Sequence, residues 1–263
     1  MPRANRHHIP GYIWHITHRC HKKEFLLKFA RDRRRWIGWL FEAKKRYGLS
    51  ILNYTVTSNH IHLLVLDNGG YDTIPRSIQL IAGRTGQQYN QRKERKGAFW
   101  EDRYHATAVE SDDHLAQCMV YIDMNMVRAG VVKHPQEWSF CGYHEIQKPK
   151  ERYGIIDYRR LIALLHMRNI EELQELQMAW VVEALSSERL GRESKWTESI
   201  AVGSEHFVSA TKERLGIRAR GRYMVGKNGA FELREAANSY SVNLDAKNDV
   251  VRPKNMYVWD GIV

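Results

Sequence analysis

A chain of 263 residues, 43% hydrophobic, is long enough for one large core or for a core domain with an appendage. No stretch approaches the roughly 18 uninterrupted apolar residues of a membrane span. The start, MPRANRHHIPG, has no apolar segment behind its basic residues, so a cytoplasmic, nucleoid-associated protein is expected. The net charge of +11 is the footprint of a phosphate-backbone binder and is uneven: residues 1–150 hold 24 Lys and Arg against 14 Asp and Glu, residues 151–263 hold 17 against 16. Cys20, Cys118 and Cys141 are odd in number and widely spaced, which excludes a disulfide framework and a cysteine zinc site and leaves them reduced and structural.

In chain order, YIWHITHR (12–19) reads as a strand, followed by an amphipathic helix from Glu24 to about Tyr47 with Phe25, Phe29, Trp36 and Leu40 on one stripe. ILNYTVT (51–57) and HIHLLVLD (60–67) form a hairpin about Ser58-Asn59. A helix from about Thr73 to Arg95, a strand over RYHATAVE (103–110), and a helix capped by Ser111 and ending near Gly130 complete the series. The order β-α-β-β-α-β-α predicts an α+β fold, a ferredoxin-like split βαβ antiparallel sheet with two helices on one face and the other open to a third. The domains expected are 1–147, with a basic leader, and a mainly helical extension, 148–263. In the extension KPKERYG (148–154) reads as a linker, and ESIAVGSEHFVSATKERLG as helix, break at Gly203-Ser204, helix, the outline of a DNA-binding helix-turn-helix.

His60 and His62 share one face of their strand, with Ile61, Leu63 and Val65 on the other. The histidine face should also receive His15 and Thr17, then Asn53, Thr55 and Thr57, and His105 if the registers agree. Two imidazoles at i and i+2 reach one divalent ion, while a partly buried His often only bonds a carbonyl. In SDDHLAQCMVYIDMNMVRAG (111–130), Leu115, Met119, Ile122 and Met126 form the docking stripe. Gln117, Tyr121, Asn125 and Arg128 form an adjoining one aimed at the open sheet.

HIHLLV followed by YIDMNMVRAGVV resembles the HUH single-tyrosine transposases, specifically the REP-associated tyrosine transposases of bacteria, over residues 10–145. One departure is Met126, where that family commonly has Pro. The resemblance implies the HUH fold, with metal-dependent cleavage and rejoining of single-stranded DNA through a covalent 5′-phosphotyrosine. Tyr121 would be the nucleophile, and His60, His62 and Asn125 would be ligands of Mg²⁺ or Mn²⁺. The partner implied is single-stranded DNA with REP hairpins, bound by a monomer or homodimer. Candidate DNA contacts are Arg3, Arg6 and His7 in the leader, then Arg84, Arg92, Lys93, Arg95, Lys96 and Trp100 around a basic, aromatic segment. Arg128 either clamps phosphate or caps its helix. The alternatives are an HUH replication or plasmid nickase, a REP-hairpin regulator without catalysis, and a simple metal phosphodiesterase using water.

Overall fold

The computed structural model describes residues 9–235 apart from 71, 188–190 and 228. The first half runs β1 (Ile13–Arg19), α1 (Ala30–Tyr47), β2 (Ser50–Val56), β3 (His60–Leu66), α2 (Thr73–Arg92), β4 (His105–Val109), α3 (Asp113–Asp123) and the single turn α4 (Asn125–Arg128). β1 lies between β3 and β4, with β2 outside β3, and every neighbouring pair is antiparallel. Each long helix therefore joins two parallel strands across an antiparallel one, which is the split βαβ arrangement expected.

Alternation along the strands decides which side chains meet which layer. Ile16 and Ile61 face α1 and α2, meeting Trp36, Ile78 and Ile81. His62 pairs with Thr17 of β1 and Thr55 of β2 on the opposite face. A bulge between Ile51 and Asn53 puts Asn53 on that face too, and α3 packs there. The face is closed rather than open: His15, Asn53, Thr55 and Thr107 are all fully buried.

The first helix starts at Ala30, not Glu24. Lys22 and Lys23 have positive φ, and the Leu27 amide bonds the Ser58 carbonyl, so residues 24–29 form a loop tied to the β2–β3 turn. Phe25 and Phe29 are exposed, while Trp36 and Leu40 enter the core. The helix ends on Gly48 in the left-handed region, a C-cap that suits a residue without Cβ. Cys20, Cys118 and Cys141 are free and buried.

The C-terminal extension is helical as expected, with three short strands that the sequence did not announce. After α5 (Gly142–Gln147), α6 (Tyr158–Leu164), α7 (Ile170–Ser186) and the turn α8 (Lys195–Glu198) comes β5 (Ala201–Gly203), then α9 (Glu205–Leu215), β6 (Arg222–Lys227) and β7 (Ala230–Glu235). β5 pairs in parallel with β4, β7 pairs antiparallel with β5, and β6 pairs with β7, so one mixed sheet of order β2-β3-β1-β4-β5-β7-β6 runs through the molecule. The expected helix-turn-helix is therefore a strand followed by a helix. Ala201-Val202-Gly203 is held to β4 by bonds such as Glu110 N–H to the Val202 carbonyl. A Cβ on Gly203 would stand 2.6 Å from the Phe207 ring and 2.8 Å from Glu110, so only glycine fits that crossing. The expected linker is exposed from Lys148 to Tyr153, and the chain is anchored just beyond it: Glu145 accepts from the Ile155 and Ile156 amides, and the Lys44 ammonium donates to the Gly154 and Ile155 carbonyls. Among the described residues no helix is long and apolar enough to cross a membrane.

Candidate active site

β3 carries His60 and His62 to the sheet face under α3. Asn53 donates to the buried Asp123 carboxylate at 2.9 Å, and the Thr55 hydroxyl donates to the Ile122 carbonyl at 3.1 Å, which fixes the end of α3 over the strands. Tyr121, 4% exposed, thereby stands edge-on to His62, ring centroids 5.7 Å apart, and to His15 at 6.1 Å. The His60 and His62 rings lie 5.0 Å apart at 79°.

The expected single helix to Gly130 is interrupted at Met124, where ψ is 0°, and α4 begins at Asn125. The Arg128 guanidinium donates to the Tyr121 carbonyl at 2.6 Å and covers the Tyr121 ring at 4.0 Å, so it caps α3 and sets a cation against the phenol in one placement. Asn125 is brought to His62, its Nδ2 being 2.9 Å from His62 Nε2. Gln117 of the same sequence stripe is exposed and meets Lys195 instead.

The hydrogen bonds define the imidazole tautomers. His15 Nδ1 faces the Trp196 carbonyl at 2.8 Å, and a carbonyl only accepts, so Nδ1 carries the proton. Its Nε2 then accepts from His62 Nδ1–H at 2.9 Å, which leaves the lone pair of His62 on Nε2 beside Asn125. His60 Nδ1 donates to Asn59 Oδ1 at 2.6 Å, and its Nε2 keeps a lone pair. Burial pushes His15 and His60 down to about 3 and His62 well below the ordinary imidazole value, so all three are neutral at pH 7. The nearby guanidiniums of Arg19, Arg192 and Arg128 act in the same direction on His60. Burial raises the Tyr121 phenol, opposed by Arg128 and Arg192. No three His, Cys, Asp or Glu side chains converge as a metal site among the described residues. The donor set is instead two neutral imidazoles whose second nitrogens are already engaged, plus an amide, and this suits a divalent cation that keeps other positions for oxygen ligands.

Residues 9–125 match the family model described as transposase, IS200 like, from before β1 through Tyr121 to Asn125. That segment, somewhat under half of the chain, is similar to IS200-like transposases. Two solved structures are similar to it at low identity. One, a REP-associated tyrosine transposase bound to a REP hairpin, is 19% identical over 60% of this chain and 95% of that one, with a TM-score of 0.48. The other, a putative transposase from Deinococcus radiodurans, is 17% identical over 45% and 93%, with a TM-score of 0.32. No curated protein matches the chain.

Of the DNA contacts read from sequence, Arg3, Arg6 and His7 lie outside the described residues. Of the others, Arg92, Arg95 and Trp100 organise the end of α2 and the loop after it. Arg92 pairs with buried Asp32, Arg95 donates to Asn90 and to the Ala98 carbonyl, and Trp100 donates to the Ala82 carbonyl while stacking on His18 at 4.1 Å. Arg84 and Lys93 are exposed beside Trp39 and Phe29, and Lys96 is exposed. These residues belong to the layer on the sheet face opposite His62. The run at 31–36 is likewise divided: Arg33 is buried over Trp138 and Phe140, while Arg31 and Arg34 are exposed.

Sequence reasoning placed His15 on the right face but outside the site. His105 shares that face and bonds the Ser199 carbonyl at 3.0 Å. Trp196, whose ring lies 6.2 Å from Tyr121, carried no recognisable signal, being one tryptophan of a one-turn helix 75 residues along the chain.

Proposed function

We propose that this protein is a transposase that cleaves and rejoins single-stranded DNA bearing REP hairpins, with Tyr121 as nucleophile. The observation that carries the reading is the convergence of Tyr121, His60, His62 and Asn125, drawn from a strand and two short helices. In the cleavage step Tyr121 gives up its phenolic proton and its Oη bonds to phosphorus, the bond from phosphorus to O3′ breaks, and the departing 3′-oxygen takes up a proton, so no proton is gained or lost overall. The DNA is then held by its 5′-phosphate on Tyr121, and attack by another 3′-OH reverses the step without an external energy source.

His60 Nε2, His62 Nε2 and the Asn125 amide oxygen would hold Mg²⁺ or Mn²⁺, which when bound neutralises charge developing on the phosphate. Arg128 stabilises the phenolate form of a tyrosine whose burial otherwise disfavours ionisation. Asp123 and Asn53 keep the end of α3 seated so that the phenol points at the strand. Tyr121 stands beside the histidines of its own chain, which supports action in cis by a monomer. The preference for REP hairpins rests on the likeness of residues 121–132 to the REP-associated enzymes.

The test incubates the protein and its Tyr121→Phe variant with hairpin DNA and Mn²⁺, the strand labelled at either end. A protein-linked product from the 3′-labelled strand, lost in the variant, is expected. Free cleavage by both proteins would assign water as nucleophile, and binding without cleavage would favour a regulator.

A further inference from the structure

We propose that His15 is a positioning residue for the cation site, and that through it the C-terminal extension sets the tautomer of His62. The inference rests on the metal-assisted reading above. It begins with a difference between the two candidate ligands. His60 is oriented within its own hairpin, by Asn59 Oδ1 at 2.6 Å and Thr57 Oγ1 at 3.0 Å. Among the described residues His62 has no such local partner, and its Nδ1 meets only His15 Nε2, at 2.9 Å.

On the other side of the ring, nothing selects a tautomer. The Asn125 amide lies 2.9 Å from His62 Nε2, and a half-turn of that amide offers either a donor or an acceptor. A His62 protonated on Nε2 would simply donate to the amide oxygen, and the nitrogen needed for a cation would be blocked. The choice falls to His15, whose Nε2 must accept. It must accept because its Nδ1 proton is committed to the Trp196 carbonyl, a group with no donor to offer. His15 is completely buried, so it acts on the site only through the neighbouring ring.

The carbonyl at the head of this chain is itself held in register by the extension. Thr107 of β4 donates to the Ser199 carbonyl at 2.6 Å and to the Trp196 carbonyl at 3.3 Å. The Ala108 amide donates to the Ile200 carbonyl at 2.8 Å, where β5 joins the sheet. The strands added at the β4 edge thus fix residues 196–200, these fix His15, and His15 fixes His62. Outer partners of metal-bound histidines characteristically set ring orientation and basicity, and their loss lowers metal affinity by about 10- to 100-fold.

The test uses the full chain and two readouts besides DNA cleavage. Long-range ¹H–¹⁵N spectra of the imidazoles in the metal-free wild type should show His62 protonated on Nδ1; protonation on Nε2 would overturn the proposal without any variant. Calorimetric titration with Mn²⁺ should show His15→Phe binding about 10- to 100-fold more weakly than wild type. His15→Gln, whose amide oxygen can still accept from His62, should recover much of the loss. A folded His15→Phe that binds Mn²⁺ as tightly as wild type would overturn the role of His15 alone. A wild type that takes up no Mn²⁺ would instead overturn the metal-assisted reading on which the role depends.

Discussion

Replacing Gln177 with Leu should destabilise the fold by about 2–3 kcal/mol near pH 8.5 and by less at pH 5. Gln177 is fully buried on α7, and its Nε2 donates to Asp123 Oδ2 at 2.8 Å while its Oε1 accepts from Gln147 at 2.9 Å. Leucine has similar bulk, so the change removes the donor and opens little space. Gln147 is half-buried and also bonds the Gln174 carbonyl, so its loss is small. Asp123 loses one of two side-chain donors inside the protein, and a bond to a charged acceptor is worth about 1.5–3 kcal/mol.

The pH dependence follows from the direction of the shift. Burial pushes the Asp123 carboxyl up to about 7, against the pull of the Asn53 and Gln177 donors. An unfolded aspartate titrates near 4, so the fold binds the proton more tightly, and wild-type stability falls between about pH 4 and 7 and then levels. Loss of a donor raises the folded value further. The variant should therefore keep losing stability above pH 7, and the difference should grow from about 1 kcal/mol at pH 5, where the acid is neutral, to the larger figure. Urea unfolding of the metal-free proteins at the two pH values measures it. A difference below about 0.5 kcal/mol at both, or one that does not change with pH, would refute the account of how α7 secures the helix bearing Tyr121.

Gly142→Ala should cost about 1–3 kcal/mol in the same assay. Its Cβ would lie 2.2 Å from Asn53 Oδ1, which cannot retreat because it accepts from the Tyr54 amide at 2.8 Å. Trp196→Ala should cost about 3–5 kcal/mol by loss of a fully buried ring, measured by chemical denaturation. Trp196→Phe should cost far less, because the indole N–H is buried without a hydrogen-bond partner among the described residues and its removal offsets part of the lost packing. Arg128→Gln should slow cleavage at neutral pH by about tenfold or more and move the single-turnover pH profile to the alkaline side, since the phenol loses the cation 4.0 Å from its ring.

Residues whose partners lie within one element, or in strands adjacent in the split βαβ order, were legible in the sequence. The period of two put His60 and His62 on one face, and helical spacing put Tyr121 and Asn125 together despite the break at Met124. The bond from His15 to Trp196 spans 181 residues and ends on a backbone carbonyl, which no side-chain pattern announces. β5 escaped because Ala201-Val202-Gly203 is too short to show a period, and its strand character comes from the exposed edge of β4. The basic run at 92–96 carried the charge of a DNA groove, yet Arg92 and Arg95 are spent on Asp32, Asn90 and Glu24. Charge alone could not separate the two uses.

The central claim is tested most directly by finding the atom that carries the DNA. The protein is allowed to cleave hairpin DNA, the covalent adduct is digested with nuclease and protease, and the linked peptide is sequenced by tandem mass spectrometry. The account predicts a phosphoryl group on Tyr121 and nowhere else. A phosphoryl group on another residue, or cleaved DNA with no linked peptide, would contradict it.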